Sequence, residues 1–300
     1  MEAARAVYEV ARKEVLQHIR TKRLLIIGSV LTVFLGLITL VFGPSLYRGT
    51  SGGDFGGISR EHIVLVFYFG IGLVGGLQFT QLLAIVLTSD AVCSEWNQRT
   101  IFLLLSKPVS RIQFVLGKFL GNLAVVAVTL VSLFTLAYAA MQPLYDGSPS
   151  GSEVLGFFEM LGVIVLGSAA FAAISLFLST ITKSTVTSLL LMLSLWLIVF
   201  PMLGSVGFFT HLSSFGSNGD DLAVTGWRYL NPAADMQAGA RLLIPSNIAD
   251  QTSDVRNIVS FLNPFASAAP DVAIAMLVLV GFTALFLGLS VWVVQRRDFE

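Results

Sequence analysis

Long apolar segments alternate with shorter polar stretches along almost the whole chain. A helix that crosses the hydrocarbon core of a bilayer needs about 20 mostly apolar residues, and several segments exceed that length, which a tilted helix accommodates. The pattern predicts an all-α, polytopic membrane protein, with one transmembrane domain over residues 1–300. Its six predicted transmembrane helices span residues 24–42, 63–88, 119–140, 154–178, 186–209 and 272–294.

The positive charges are distributed unequally between the polar stretches. Thirteen of the 18 Lys and Arg residues lie in the N-terminal tail, in residues 89–118, in the turn around Lys183, or after the last apolar segment. Cytoplasmic loops of membrane proteins carry an excess of Lys and Arg. This distribution predicts cytoplasmic N- and C-termini, a cytoplasmic loop at 89–118 and an outer loop at 210–271.

The composition supports immersion in a bilayer. The chain is 55% hydrophobic and 12% charged, with a mean hydropathy of +0.82, whereas soluble domains carry about 25% charged residues. The formal net charge is zero, so nothing indicates a nucleic-acid partner, and membrane lipid is the expected surrounding. The single cysteine, Cys93, has no second thiol for a disulfide or a metal site, and is expected to be a packing residue.

Residues 1–23 have the periodicity of an amphipathic helix, with charged residues on one face and apolar residues opposite. Such a helix is expected to lie in the cytoplasmic interface, where its basic face suits anionic lipid headgroups. Glu14 and His18 lie one turn apart and off the charged face. They are either a solvated pair at the edge of the helix or a contact with a partner.

The outer loop contains the triplet "LNP" twice. In each triplet, Asn can cap a helix and Pro can occupy its first turn. Apolar residues then recur at helical spacing from about Pro232 to Leu243. The pattern predicts an amphipathic helix on the outer surface, followed by return of the chain into the sixth transmembrane helix.

The sequence lacks the motifs of common enzymes. Its three histidines are scattered, and HExxH, GxSxG, CxxC and the phosphate-binding GxxxxGK[ST] are absent. We therefore expect neither catalytic residues, nor a resident metal, nor a cofactor in this chain.

A few polar residues fall within the predicted spans, where such groups are costly and are often functional. Gln78, Gln81 and Glu159 are candidates for a substrate path. The alternative for the two glutamines is hydrogen bonding between helices. The alternative for Glu159 is a position at headgroup depth, facing water.

The cytoplasmic loop "SEWNQRTIFLLLSKPVSRIQFVLGK", residues 94–118, is the most feature-rich polar stretch. It begins as a short amphipathic helix, and Pro108 should end that helix because proline disfavours helical geometry in the residue before it. A helix fixed at both ends to membrane helices can transmit a push to them. The alternative is a simple connector that lies in the interface.

This loop resembles that of ABC-2 type permeases, the membrane subunits of certain ATP-binding-cassette transporters. The family pattern is matched by Glu95, Thr100, Leu104, Leu105, Ser106, Pro108, Val109, Ser110, Arg111, Gly117 and Lys118. Two positions depart from it, with Arg99 where glycine is usual and Phe102 where Glu is frequent. The N-terminal helix is similar to the family's elbow helix. The segment "LNPAADMQAGARLL" resembles one in the subgroup linked to multicopper-enzyme maturation.

The resemblance implies a permease that is driven by two copies of a separate cytoplasmic ATPase subunit, which binds ATP and Mg. A second copy of this chain, or a homologous permease, would complete the complex, and export is the family tendency. The implied ATPase contacts are Glu14, Glu95, Trp96, Arg99, Thr100, Phe102, Pro108, Arg111 and Lys118. The alternatives are a membrane-embedded enzyme and a maturation or complex subunit that transports nothing. The sequence does not indicate the substrate.

Overall fold

The computed structural model describes residues 2–21, 77–97, 110–141, 151–200 and 272–296, together with residues 24, 26, 28–33, 36, 202, 231, 232, 235 and 236. Across these residues the regular structure is helical and contains no strand. The prediction of an all-α fold is therefore confirmed for this part of the chain.

The described helices are named here in chain order. They are α1 (Glu2–Arg20), α2 (Leu77–Thr88), α3 (Cys93–Asn97), α4 (Arg111–Met141), α5 (Gly151–Ile181), α6 (Thr185–Val199) and α7 (Val272–Arg296). The last five residues of α6, Leu195–Val199, form a turn of π-helix.

Three helices in the described residues are long and apolar enough to cross a membrane: Arg111–Ala139, Val154–Ile181 and Ala273–Arg296. They coincide with the third, fourth and sixth predicted spans. Helix α6 covers the first part of the fifth span and α2 the last part of the second. The first span is represented by the helical residues 24, 26, 28–33 and 36, and its remainder lies outside the described residues.

Helix α4 begins before the predicted span because its first turn is capped. The Ser110 hydroxyl accepts a hydrogen bond from the Gln113 backbone N–H at 3.3 Å, and the Gln113 side chain accepts one from the Ser110 N–H at 2.9 Å. This reciprocal arrangement is a capping box, which satisfies two backbone donors at a helix start. The signal, Ser followed three residues later by Gln, was present in the sequence.

Helix α5 is the centre of the bundle and packs against α2, α4, α6 and α7. In the most apolar stretch of α5, 72% of the residues are buried, whereas the buried share is 17% in the corresponding stretch of α7. The exposed side chains of α7 include Leu277, Leu285 and Trp292. An apolar helix with so little buried surface is suited to contact with lipid.

We define the inner end of the bundle as the end that holds α1, α3 and the turn between α5 and α6. This is the end predicted to be cytoplasmic. The α5–α6 turn consists of Thr182, Lys183 and Ser184, and the Ser184 side chain accepts a hydrogen bond from the Thr187 backbone N–H to cap α6.

Helix α1 packs closely against the start of α4, at two glycines one turn apart. A Cβ on Gly117 would lie 2.6 Å from Cβ of Val10, and one on Gly121 would lie 2.8 Å from the backbone oxygen of Ala11. Small residues at this spacing allow helices to approach closely.

The outer segment does not lie where the sequence pattern placed it. The predicted amphipathic helix was expected on the outer surface, but Asn231, Pro232, Asp235 and Met236 at its start are all buried. Met236 fits against Gly167 of α5, where any Cβ would overlap its side chain. Because Gly167 has no side chain, space remains beside α5, and the segment that carries Met236 inserts there into the bundle. The rest of the predicted helix lies outside the described residues.

Gly121→Ala should destabilise the protein by about 1–3 kcal/mol, the usual cost of overpacking, because the new methyl group meets the α1 backbone. Gly162→Ala is the matched control, since a Cβ there meets nothing within 4 Å. Both changes gain the same helix propensity. The thermal midpoint of the detergent-solubilised protein measures the effect, and equal midpoints for the two variants would contradict the close α1–α4 contact.

Candidate functional site

Four charged side chains from three helices meet at the inner end of the bundle, and we call them the ion cluster: Lys13, Glu14, Glu95 and Lys118. Lys118 Nζ of α4 lies 2.7 Å from Glu14 Oε1 of α1 and 3.0 Å from Glu95 Oε1 of α3. Lys13 Nζ of α1 lies 2.7 Å from the same Glu95 oxygen. Two acids and two bases thus form one neutral group.

The inner part of this cluster is out of contact with water. The exposed side-chain fraction is 1% for Lys118, 3% for Glu14 and 6% for Glu95, whereas Lys13 is 43% exposed. Removing a charge from water costs several kcal/mol per ion, and this cost is offset only when partners lie close and in good geometry. Lys118 therefore requires both carboxylates, and it holds α1 and α3 against α4.

The polar contact between α1 and α4 continues one turn further along both helices. His18 Nε2 lies 2.5 Å from Asn122 Oδ1, and both side chains are buried. Glu14 and His18 therefore pair with Lys118 and Asn122 of the same chain. The interpretation of Glu14 and His18 as a solvated pair was wrong, because α4 covers the face on which they lie.

Helix α3 is also joined to the end of α5. The Ser179 hydroxyl accepts hydrogen bonds from the backbone N–H groups of Val92 and Cys93, at 3.0 and 3.1 Å. The Cys93 thiol lies 3.0 Å from the Ser179 carbonyl oxygen and 3.1 Å from that of Thr182. Cys93 is fully buried, as a packing residue would be, and it also satisfies carbonyl groups at the end of α5.

Trp96 and Arg111 make two further connections at the inner end. Lys183 of the α5–α6 turn lies over the Trp96 ring, 5.8 Å from its centroid, within the range of a cation–π contact. The Arg111 guanidinium donates to the carbonyl oxygens of Val294 and Gln295, at 3.1 and 2.7 Å. A cation at the carbonyl end of a helix is stabilising, and this one links the start of α4 to the end of α7.

The structure thus places five of the residues predicted to contact an ATPase at the inner end of the bundle: Glu14, Glu95, Trp96, Arg111 and Lys118. Three of them, Glu14, Glu95 and Lys118, are buried among the helices of this chain. The others in the predicted set, Arg99, Thr100, Phe102 and Pro108, lie outside the described residues.

Two of the candidate path residues, Gln81 and Glu159, lie on different helices. Gln81 is buried in α2, where its Oε1 accepts a hydrogen bond from Trp196 Nε1 at 2.6 Å and its Nε2 lies 3.8 Å from Met236 Sδ. Glu159 is exposed on α5. The side chain of Gln78 lies outside the described part of the structure. Gln81 thus connects α2, the π-turn of α6 and the inserted outer segment.

Sequence reasoning missed the roles of Lys13, Ser179 and Asp235. Asp235 is the most unusual of them, because burial raises the pKa of its carboxyl to about 8. Asp235 stands four residues after Asn231 in "LNPAAD", a position within the first helical turn that gave no sign of burial. In the sequence, Lys13 resembles an ordinary surface charge. Ser179 resembles an ordinary residue within a helix.

Lys118→Met should destabilise the protein by about 3–5 kcal/mol, because it leaves two buried carboxylates with too little compensating charge. Adding Glu14→Gln should restore part of the lost stability, because it removes one of the two buried charges and the other, on Glu95, is still paired with Lys13. Arg12→Gln is the control. Arg12 and Glu9 are 61% and 57% exposed and 3.9 Å apart, a contact worth less than about 1 kcal/mol.

The thermal midpoints of the purified variants provide the measurement. A midpoint for Lys118→Met as high as that of Arg12→Gln would show that the buried charges are not coupled. So would a double variant that is less stable than Lys118→Met alone.

Comparison with known proteins gives the family of this chain. A family model described as "ABC-2 family transporter protein" matches residues 8–299. The "Probable ABC transporter permease protein NosY" of Pseudomonas aeruginosa is 27% identical over 175 residues, which cover 58% of this chain and 59% of that relative. The match to this relative is therefore partial, whereas the family model spans nearly the whole chain. The chain belongs to the ABC-2 family of transporter proteins, and it is a multi-pass protein of the cell membrane.

Proposed function

We propose that this chain is the permease subunit of an ABC transporter. It couples ATP hydrolysis by a separate cytoplasmic ATPase subunit to movement of a substrate across the membrane, in the direction of export. Membership of the ABC-2 family supports this proposal, as does the similarity to a relative named as an ABC transporter permease. Two ATPase subunits bind ATP and Mg, and two permease chains, either identical or homologous, enclose the substrate path.

The attachment of α3 is the observation that carries the proposal. Helix α3 has five residues, yet it is bound to α4 through Glu95 and Lys118, to α1 through Glu95 and Lys13, and to α5 through Cys93 and Ser179. A simple connector needs none of these buried polar contacts. Because separating buried ionic partners is costly, a force on α3 moves the inner ends of three helices together.

Burial divides the predicted coupling residues into two roles. Glu14, Glu95 and Lys118 lie inside the chain, so they position α1 and α3 and do not themselves form the docking surface. The ATPase contacts the exposed residues around them, including the charged face of α1 with Arg12 and Lys13. Arg99, Thr100, Phe102 and Pro108 remain proposed contacts.

The substrate path in this proposal passes beside Gln81. This residue joins α2 to the π-turn of α6 through Trp196. Turns of π-helix are frequent at functional sites, because the extra residue interrupts the regular hydrogen bonding. Movement of α2 would change the Gln81–Trp196 contact and, with it, the spacing between α2 and α6. Glu159 and Gln78 remain candidates along the same path.

Purification of the tagged chain from its native membrane in mild detergent tests the proposal. We expect a P-loop ATPase to copurify in equal amount, with vanadate-sensitive ATP hydrolysis in the reconstituted complex. If no ATPase copurifies, and candidate ATPases neither bind nor hydrolyse ATP faster with the chain present, the transporter proposal fails.

Glu95→Gln should reduce the coupling between the two subunits while the chain remains in the membrane. The charge that holds α3 to Lys118 and Lys13 is lost, so the push of the ATPase is no longer transmitted to α4. We expect the ATP hydrolysis rate of the complex to fall at least several-fold, toward that of the ATPase alone, with copurification retained.

Glu9→Gln is the control for this prediction, because Glu9 is an exposed acid on the neighbouring helix α1. Equal hydrolysis rates for Glu95→Gln, Glu9→Gln and the unmodified complex would contradict the role of the ion cluster in coupling.

A further inference from the structure

The described residues of the outer segment, Asn231, Pro232, Asp235 and Met236, lie in a turn between three membrane helices. Its Met236 contacts Gln81 of α2 and Gly167 of α5. The Asn231 side-chain amide donates to the backbone oxygen of Phe200, just after α6, at 3.0 Å. These contacts hold the turn inside the bundle.

The contacts also give the depth of the turn. A helix rises about 1.5 Å per residue, so Phe200 lies about 22 Å from Thr185 at the inner end of α6, and Gly167 about 21 Å from Ile181 at the inner end of α5. Gln81 lies about 10 Å from Thr88 of α2. The turn therefore meets α5 and α6 far from the inner end of the bundle.

Asp235 is the unexplained residue of this turn. Its side chain is 0% exposed, and within the described structure neither carboxylate oxygen has a hydrogen-bond partner. Its backbone N–H donates a hydrogen bond to the Asn231 carbonyl oxygen at 3.1 Å. An ionised carboxylate in such a place costs far more than a protonated one.

Among the described residues, the elements packed against the turn provide no compensating charge. Helix α2 contributes Gln81, whose amide is engaged by Trp196 and Met236, α5 contributes Gly167, and the end of α6 contributes Phe200. None of these three residues is titratable. The partial positive charge at a helix start favours an anion by at most about 2 kcal/mol, too little to keep Asp235 ionised.

We propose that Asp235 is a proton-binding site within the membrane domain, and that the bound proton keeps the turn seated between α2, α5 and α6. Loss of the proton leaves a buried anion, which gains hydration only if the turn moves toward the outer surface. The ligand is a proton, and the linked change is withdrawal of the turn. This proposal does not depend on the ATPase, so it can fail or hold separately from the transporter function.

The protonated acid can be detected with N,N′-dicyclohexylcarbodiimide, an apolar reagent that requires a carboxylic acid in its neutral form. The acid O–H adds across a C=N bond of the carbodiimide, and the adduct rearranges to a stable N-acylurea without any other reactant. At about pH 6, below the Asp235 pKa, mass spectrometry of the full chain in proteoliposomes should find the adduct at Asp235. Exposed Glu159 should be labelled at least several-fold less, and labelling of Asp235 no greater than that of Glu159 would overturn the proposal.

Hydrogen exchange tests whether the proton controls the turn. The folded-state pKa of Asp235 is raised, so the proton stabilises the seated turn at low pH and this stabilisation is lost as the pH rises through the folded-state pKa. Asp235→Asn imitates the neutral acid at every pH. For peptides covering residues 231–236, the ratio of the exchange rate in the unmodified chain to that in the Asn variant should rise at least several-fold between about pH 6 and about pH 9. A ratio that does not change between these pH values would overturn the proposal, as would a ratio that falls.

Discussion

The buried ammonium group of Lys118 is the constraint on which the inner end of the bundle depends. A cation that is 1% exposed must be matched by negative charge at close range, and no acid on α4 itself provides that charge. The two carboxylates come from Glu14 of α1 and Glu95 of α3. The requirement for neutrality at one atom therefore fixes two other helices against α4, and Lys13 balances the remaining charge.

The interface between α1 and α4 combines close approach with these polar contacts. On α4, Gly117 and Gly121 allow the backbones to meet, and the residues that follow them, Lys118 and Asn122, provide the polar groups. On α1, Val10, Glu14 and His18 are spaced by four residues and thus lie on one face. Without the glycines, the Lys118 and Glu14 side chains would not be held 2.7 Å apart in a dry interface.

The sequence predicts these features unequally. Length and apolar character alone located α4, α5 and α7, because the bilayer demands about 20 apolar residues whatever the fold. Periodicity showed that Glu14 and His18 share a face but not what covers it, since Lys118 and Asn122 are each 104 residues away along the chain. Asp235 was missed for the same reason: its burial depends on the space left by Gly167, which no local pattern reveals.

The two polar regions of the bundle share two helices, and this gives them a mechanical connection. Helix α2 carries Gln81 in its middle and leads through a short turn into α3, while α5 carries Gly167 in its middle and Ser179 at its inner end. The Ser175 hydroxyl donates to the Ile85 carbonyl oxygen at 3.2 Å, which joins α2 to α5 between these points. Helices transmit displacement along their axes because each backbone hydrogen bond resists compression. A displacement of α3 is therefore passed along α2 and α5 to the surfaces on which Met236 rests, so that movement at the inner end changes how the outer turn is held.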